Sequence, residues 1–339
     1  MDLHQIKIAI QDHFSDGLIT IVGSGLSCAE GLPGMKELGE HLMSSVSPGL
    51  SADDGQIWND LAPRIGEIGL EAALTEKLPS EALQRRIVNQ AGSFIATREE
   101  SVLREVILGS KTLRLTKLLK NYVRSSQPIA IVTTNYDRLV EVAAEEAGLG
   151  VDTLFVGNYA GVLSQDSSHF QFCRKIVTKG KTARLDYSPR VSVFKPHGSL
   201  DWYDRGGLPI RYGASLDGNR MIITPGLNKY RSGYESPFDL HRERANRVID
   251  RSAKILVIGY GFNDDHLETH LYKKITSGTP TLIASQSLTP NAKSVVERSP
   301  NVMALVSDGA SGTLLLTVNQ SIQIPGMLWD IGSLVDEVF

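Results

Sequence analysis

Four short runs of residues in this chain have the types and spacing that chemistry on a phosphorylated ligand needs, and each leaves an apolar stretch. Gly23-Ser24-Gly25-Leu26-Ser27 follows Leu18-Ile19-Thr20-Ile21-Val22 as a glycine turn opening a helix. Such a turn lets backbone N–H groups approach a pyrophosphate closely, and the helix dipole favours its negative charge. The dinucleotide pattern G-x-G-x-x-G is only partly met, because Cys28 stands where its third glycine would be. The run therefore fits a nucleotide cradle and equally a tight turn that binds nothing. Thr133-Thr134-Asn135-Tyr136-Asp137 leaves a second apolar stretch. Helix capping alone accounts for Asp137, but not for two threonines and an asparagine leaving an otherwise apolar strand. Lys195-Pro196-His197-Gly198-Ser199 leaves a third. A single histidine is usually structural; His197 is set apart by its place between Pro and Gly at a strand end, and imidazole has the pKa for proton transfer near neutrality. Gly259-Tyr260-Gly261-Phe262-Asn263-Asp264 leaves a fourth, with Asn263 or Asp264 as the cap of the next helix.

These runs can share one site only if the strands that carry them are parallel neighbours. Leu3, Ile6, Ile10 and Phe14 recur at helical spacing, and the β-branched run 18–22 follows at once as a strand. From about Met35 to Ser126 the residues are Leu, Ala, Glu, Lys and Arg with little β signal, which predicts a helical insertion. Strands are predicted again at 128–133, 153–156, 191–194, 221–224, 255–258, 281–284 and 302–306, with helices over 137–147, 239–253 and 290–298 between them. Strands alternating with helices specify an α/β fold with a doubly wound, mostly parallel sheet, whose ligands bind at the carboxyl ends of the strands. Within the helix over 239–253, Arg242, Arg244, Arg247 and Arg251 read as a solvated face or a partner contact.

Composition excludes several other classes. The chain has 339 residues, 41% apolar and 22% charged, with a net charge of −3 and no long run of one sign, so no direct nucleic-acid binding and no anionic membrane surface are expected. Its apolar stretches are far shorter than the ~20 residues of a membrane-spanning helix. Met1-Asp2-Leu3-His4 lacks the basic and apolar regions of a secretory signal, so a cytoplasmic location is expected. Cys28 and Cys173 form no CxxC pair, which argues against a zinc ribbon or CxxC redox chemistry.

Taken together and in order, Gly23 to Ser27, Gly31-Leu32-Pro33, Thr133 to Asp137, His197-Gly198-Ser199 and the Gly259 loop resemble the sirtuin pattern. Lys195 to Trp202 and Ile258 to Asp264 are similar to strand ends of bacterial sirtuin-like domains that read K-x-H-G-S-x-D-W and I-G-Y-x-x-x-D. The resemblance implies a Rossmann-like NAD-binding domain over residues 1–35 and 127–339, with residues 36–126 as a helical insertion or lid. It implies that NAD is consumed as a substrate at its nicotinamide–ribose bond. By matching position, Asn135 and His197 would be catalytic, the first holding the nicotinamide ribose and attacking water, the second acting as general base. Gly23, Ser24, Gly25 and Ser27 would line the pyrophosphate, Pro33 and Asp137 the nicotinamide end, and Gly259 and Tyr260 the adenosine half, with Thr134 as a further cofactor-binding residue.

The chain departs from protein-deacylating sirtuins in lacking four zinc cysteines, in having Thr134 where they have Gln, and in its helical insertion. Those departures point to a zinc-free NAD hydrolase of the antiphage-defence type, with an NAD-dependent deacylase and a non-catalytic NAD or ADP-ribose sensor as the alternatives. Relatives of that type imply a homo-oligomer and a HerA-like ATPase or another defence partner, and because unregulated NAD hydrolysis would poison the cell, a resting state restrained by assembly or by the helical segment 36–126 is expected.

Overall fold

The computed structural model describes residues 3–76, 79–121, 127–216, 218–224 and 235–339. The chain begins with α1 (Leu3–His13), β1 (Leu18–Val22) and α2 (Ser24–Glu30). Five helices follow: α3 (Met35–Ser45), α4 (Ala52–Ile68), α5 (Leu70–Glu76), α6 (Glu81–Ile107) and α7 (Arg114–Lys120). They occupy the stretch where the sequence predicts the insertion, whose end at residues 122–126 lies outside the described residues. Next come β2 (Ile129–Thr133), α8 (Leu139–Glu146), β3 (Gly150–Asp152), β4 (Phe155–Val156) and β5 (Ala160–Leu163). The strands β6 (Cys173–Lys179), β7 (Thr182–Tyr187), β8 (Arg190–Phe194), β9 (Gly198–Asp204), β10 (Pro209–Tyr212) and β11 (Arg220–Ile222) complete the middle of the chain. The last part alternates again: α9 (Phe238–Arg251), β12 (Lys254–Ile258), α10 (Asp265–Thr276), β13 (Thr281–Ser285), α11 (Pro290–Arg298) and β14 (Val302–Ser307). It closes with β15 (Gly312–Leu316), β16 (Ser321–Pro325) and α12 (Ile331–Val338).

A nine-stranded sheet in the order β16-β15-β14-β13-β12-β1-β2-β8-β3 forms the centre. Neighbours from β14 through β3 are parallel, and β15 and β16 extend one edge antiparallel. The fold is thus the mixed α/β, largely parallel sheet that the alternation predicts. Every residue of β1 is buried because helices cover both faces. Leu18 and Val22 point into one core with α1 and the helices α3 to α8; Ile19 and Ile21 point into the other with α9, α10 and α11. From β1 the chain crosses to β2 on one side, whereas β12 pairs on the other, so the loops after β1 and β12 meet at the switch in strand order.

Two predicted strands lie elsewhere than expected. The stretch 153–156 is not one strand: Asp152 ends β3, its Oδ1 accepts the Leu154 N–H at 3.0 Å, and Leu154 turns left-handed at φ 65°. That turn carries the chain out of the central sheet, and β4 joins a second, five-stranded antiparallel sheet ordered β11-β9-β10-β5-β4. The predicted strand at 221–224 is β11 of that second sheet. A hairpin of β6 and β7, pairing only with each other, completes the strands.

Candidate functional site

A cleft of about 390 Å³ opens at the carboxyl ends of β1, β2, β8 and β12. Ser24, Gly25, Ser27, Pro33, Thr134, Asn135, Asp137, His197, Gly259 and Tyr260 all line it. Gly23 does not line it and lies directly beneath. Among residues that the sequence did not single out, Ser285 at the end of β13 and Ser287 beyond it line the cleft beside Thr289, whose hydroxyl caps α11, while Met35, Leu38, Glu71 and Ile95 come from α3, α5 and α6.

The glycines act differently from a simple phosphate cradle. Gly23 N–H donates to the Ile258 carbonyl at 2.9 Å and Gly25 N–H to the Gly259 carbonyl at 3.0 Å. A methyl at Gly23 would collide with Gly259 O and Tyr260 Cα, one at Gly25 would lie 2.8 Å from Gly259 Cα, and one at Gly259 would lie 2.7 Å from Leu26 N. Two backbone loops interlock here, and Gly259 is left-handed at φ 56°. The N–H of Gly25 is therefore spent on the neighbouring loop, because the two strand ends approach too closely for side chains.

Beside this floor the polar side chains form a chain of hydrogen bonds. Asn135 Nδ2 donates to the Gly23 carbonyl at 2.9 Å and to Ser27 Oγ at 2.8 Å. Ser27 Oγ donates in turn to Asp137 Oδ2 at 2.7 Å. A carbonyl can only accept, so the Asn135 amide has one orientation, and its Oδ1 is left to accept from a ligand hydroxyl or water. Asp137 is not the cap that the sequence suggests, since Arg138 holds that position; one residue earlier, its Oδ1 accepts the Leu139 N–H at 3.1 Å while Oδ2 holds Ser27.

His197 is mostly buried, and its Nε2 lies 2.6 Å from Asp264 Oδ2. Asp264 also begins α10: its carbonyl accepts the Glu268 N–H, and its own N–H donates to Glu268 Oε1 at 2.6 Å. Helix capping is what the sequence predicts for Asp264; the contact with His197 is not legible there, since it joins positions 67 residues apart in sequence through adjacent loops. Gly198, left-handed at φ 87°, packs where a methyl would strike the Met221 carbonyl, which explains the glycine after His197.

Two buried charges support these loops from behind. Lys195, 1% exposed, donates through Nζ to the Asp137 carbonyl, to Ser199 Oγ at 3.3 Å and sits 2.8 Å from Glu141 Oε1. Burial pushes the Glu141 carboxyl up, and Lys195 beside it pulls it down. The Lys195 N–H donates to His241 Nδ1 at 3.1 Å, and burial lowers His241 to about 3, which keeps that ring neutral. On the other side Glu99 of α6, fully buried, accepts from Arg138 N–H, from Nε at 2.9 Å and from Nη2 at 2.5 Å. Sequence reasoning passed over both pairs because each partner alone reads as an ordinary surface charge.

Among the described residues no group of three or more His, Cys, Asp or Glu is placed to hold a metal ion, and no helix is long and apolar enough to cross a membrane. The arrangement offers an amide oxygen, an imidazole and several hydroxyls around one cleft, a set suited to binding a polar ligand and moving a proton on it.

Comparison with known proteins follows the same residues. Among solved structures, the chain is similar to a Sir2 homolog in complex with NAD, at 14% identity over 100% of this chain and 92% of that one, with a TM-score of 0.45. It is also similar to a sirtuin solved to explain substrate affinity, at 14% identity over 86% of this chain and 90% of that one, with a TM-score of 0.41. None of the curated proteins matches. A SIR2-like domain matches residues 129–301, which run from β2 to the start of β14 and hold Asn135, His197 and the Gly259 loop. Since that match spans just over half of the chain, the protein belongs to the SIR2-like domain family.

Proposed function

We propose that this protein is an NAD hydrolase that cleaves the nicotinamide–ribose bond to give nicotinamide and ADP-ribose. The observation that carries the reading is the convergence of Asn135, Ser27, Asp137 and His197 on one cleft at the switch in strand order. Cleavage of this bond develops positive charge on the ribose, so the site needs an oriented water and a base. Asn135 Oδ1 orients the water or a ribose hydroxyl, with its amide held by Gly23 and Ser27. His197 takes the proton. The Asp264 carboxylate lies beside the ring, with Oδ2 2.6 Å from Nε2, and favours the imidazolium that forms when His197 takes that proton. Ser24, Thr134 and Ser287 supply hydroxyls for the phosphates and riboses, and Leu32, Pro33 and Met35 give an apolar wall.

Two features favour water over an acyl-lysine peptide as the acceptor. The two cysteines of the chain cannot supply the four thiolates of a deacylase zinc module, and α3, α5 and α6 contribute to the cleft wall. The role as regulated effector of an antiphage system, oligomeric and working with a HerA-like ATPase or another defence partner in the cytoplasm, rests on the resemblance of Lys195 to Trp202 and Ile258 to Asp264. In this reading the domain over residues 1–35 and 127–339 binds NAD, and the helical segment 36–126 restrains it.

The test is incubation of purified protein with NAD, with nicotinamide and ADP-ribose quantified. Asn135→Ala and His197→Ala are each expected to slow turnover by about 10²- to 10⁴-fold. Wild-type rates in both variants would overturn the assignment. NAD loss that requires an acyl-lysine peptide would make the protein a deacylase, and tight binding of NAD without nicotinamide release, partner included, would make it a sensor.

A further inference from the structure

The hairpin of β6 and β7 stands apart from both sheets and is exposed along most of its length. Isolated two-stranded ribbons are marginal in water, and their open edges invite a partner. This one carries Arg174, Lys175, Lys179, Lys181 and Arg184 against a single carboxylate, Asp186, in a chain whose net charge is −3. Lys175 sits 3.4 Å from Asp186 across the ribbon. Among the described residues the other four cations have no carboxylate at ion-pair distance. At the foot of the hairpin two aromatic rings face solvent, Tyr159 at 88% and Phe170 at 51% exposure. Gln171, two residues before the ribbon, bonds the backbone that leads into the β4–β5 turn carrying Tyr159, accepting from Gly157 N–H at 3.3 Å and donating to the Phe155 carbonyl at 3.1 Å. His169 lies against both Phe170 and Tyr187.

Lysine on an open edge also discourages pairing with other strands, yet that purpose asks for no exposed aromatic rings beside it. Cations spaced along a ribbon with aromatic faces at one end are the chemistry that holds a single-stranded nucleic acid: ammonium and guanidinium groups neutralise phosphates, and rings stack on unpaired bases. We propose that the hairpin of residues 173–187, with Tyr159 and Phe170, is a single-stranded nucleic-acid binding surface. The proposal departs from the expectation drawn from net charge, which averages this cluster over the acidic remainder of the chain. The inference does not rest on the NAD reading.

The test uses the full chain and a fluorescein-labelled oligo-dT strand of about 20 nucleotides, followed by anisotropy over a salt series. Wild type is expected to bind with a log–log salt slope of about −3, the value for four neutralised phosphates on a single strand. The variant Arg174→Gln/Lys179→Gln/Lys181→Gln/Arg184→Gln is expected to lose most of that slope at an unchanged melting temperature. Tyr159→Ala is expected to weaken binding by about tenfold or more while keeping the slope, since stacking is not ionic. No binding by wild type, equal binding by the quadruple variant, or displacement by duplex DNA as readily as by a single strand would each overturn the proposal. So would self-association lost in the quadruple variant with no oligonucleotide bound by either protein, which would give the arm to a second copy.

Discussion

The Asp264 carboxyl group does two jobs, Oδ1 accepting the Leu267 N–H at 3.5 Å at the start of α10 and Oδ2 lying against His197, and a single substitution separates them. Asparagine caps a helix as well as aspartate does, so Asp264→Asn is expected to keep α10 and the melting temperature. Its amide removes the negative charge that now lies 2.6 Å from His197 Nε2. Nicotinamide release is expected to fall by about 10²- to 10⁴-fold, the range for losing a correctly poised acid–base group. A variant that turns over NAD at the wild-type rate would reduce Asp264 to a cap. At this scale the sequence was informative where residue type and strand end coincide: Asn135, Asp137 and His197 were legible because polar groups leaving an apolar strand are conspicuous. Asp264 was legible only as a cap, since contacts across loops depend on strand order.

Strands and helices show the same division. The parallel strands were readable from their apolar, β-branched runs, which both-sided burial demands. The second sheet was not, because β5 and β10 are short, mixed in character and partly exposed, and the run after His197 that forms β9 reads as a loop motif. What joins these elements is the buried ammonium of Lys195, at the end of β8, holding the carbonyl after β2 and Glu141 of α8. Removing one partner leaves a buried charge and costs about 3–5 kcal/mol, whereas replacing both by apolar side chains of similar size is neutral or stabilising. Lys195→Met alone is therefore expected to lower the melting temperature. The double variant Lys195→Met/Glu141→Leu is expected to recover it while NAD turnover stays depressed, because the Asp137 carbonyl has lost its donor. Recovery of both stability and turnover would show that the pair serves folding alone.

For the molecule as a whole, stability depends on histidines held neutral inside it. His13, at the end of α1, donates to the Ile255 carbonyl at 2.9 Å, and burial lowers its pKa to about 4. An unfolded chain binds that proton near pH 6.5, so the folded state loses ground as pH falls from about 6.5 to about 4, by up to about 3 kcal/mol. Buried carboxylates such as Glu99 are shifted up and act with the opposite sign. Comparing wild type with His13→Gln in thermal melts across that range isolates the histidine, and the variant is expected to show the shallower decline. An equal decline in both would place the acid sensitivity elsewhere.

The interlocked glycines give the cleft a mechanical asymmetry. Gly23 and Gly25 are bonded to the turn after β12, so the floor belongs to two adjacent strands at once and can tilt only if both move with the sheet. The opposite wall is built from Met35, Leu38, Glu71 and Ile95 on separate helices, joined to the floor side through side chains such as Glu99 on Arg138. The site thus has one wall of interlocked backbone and one of side chains, so substitution is barred on the first and open on the second.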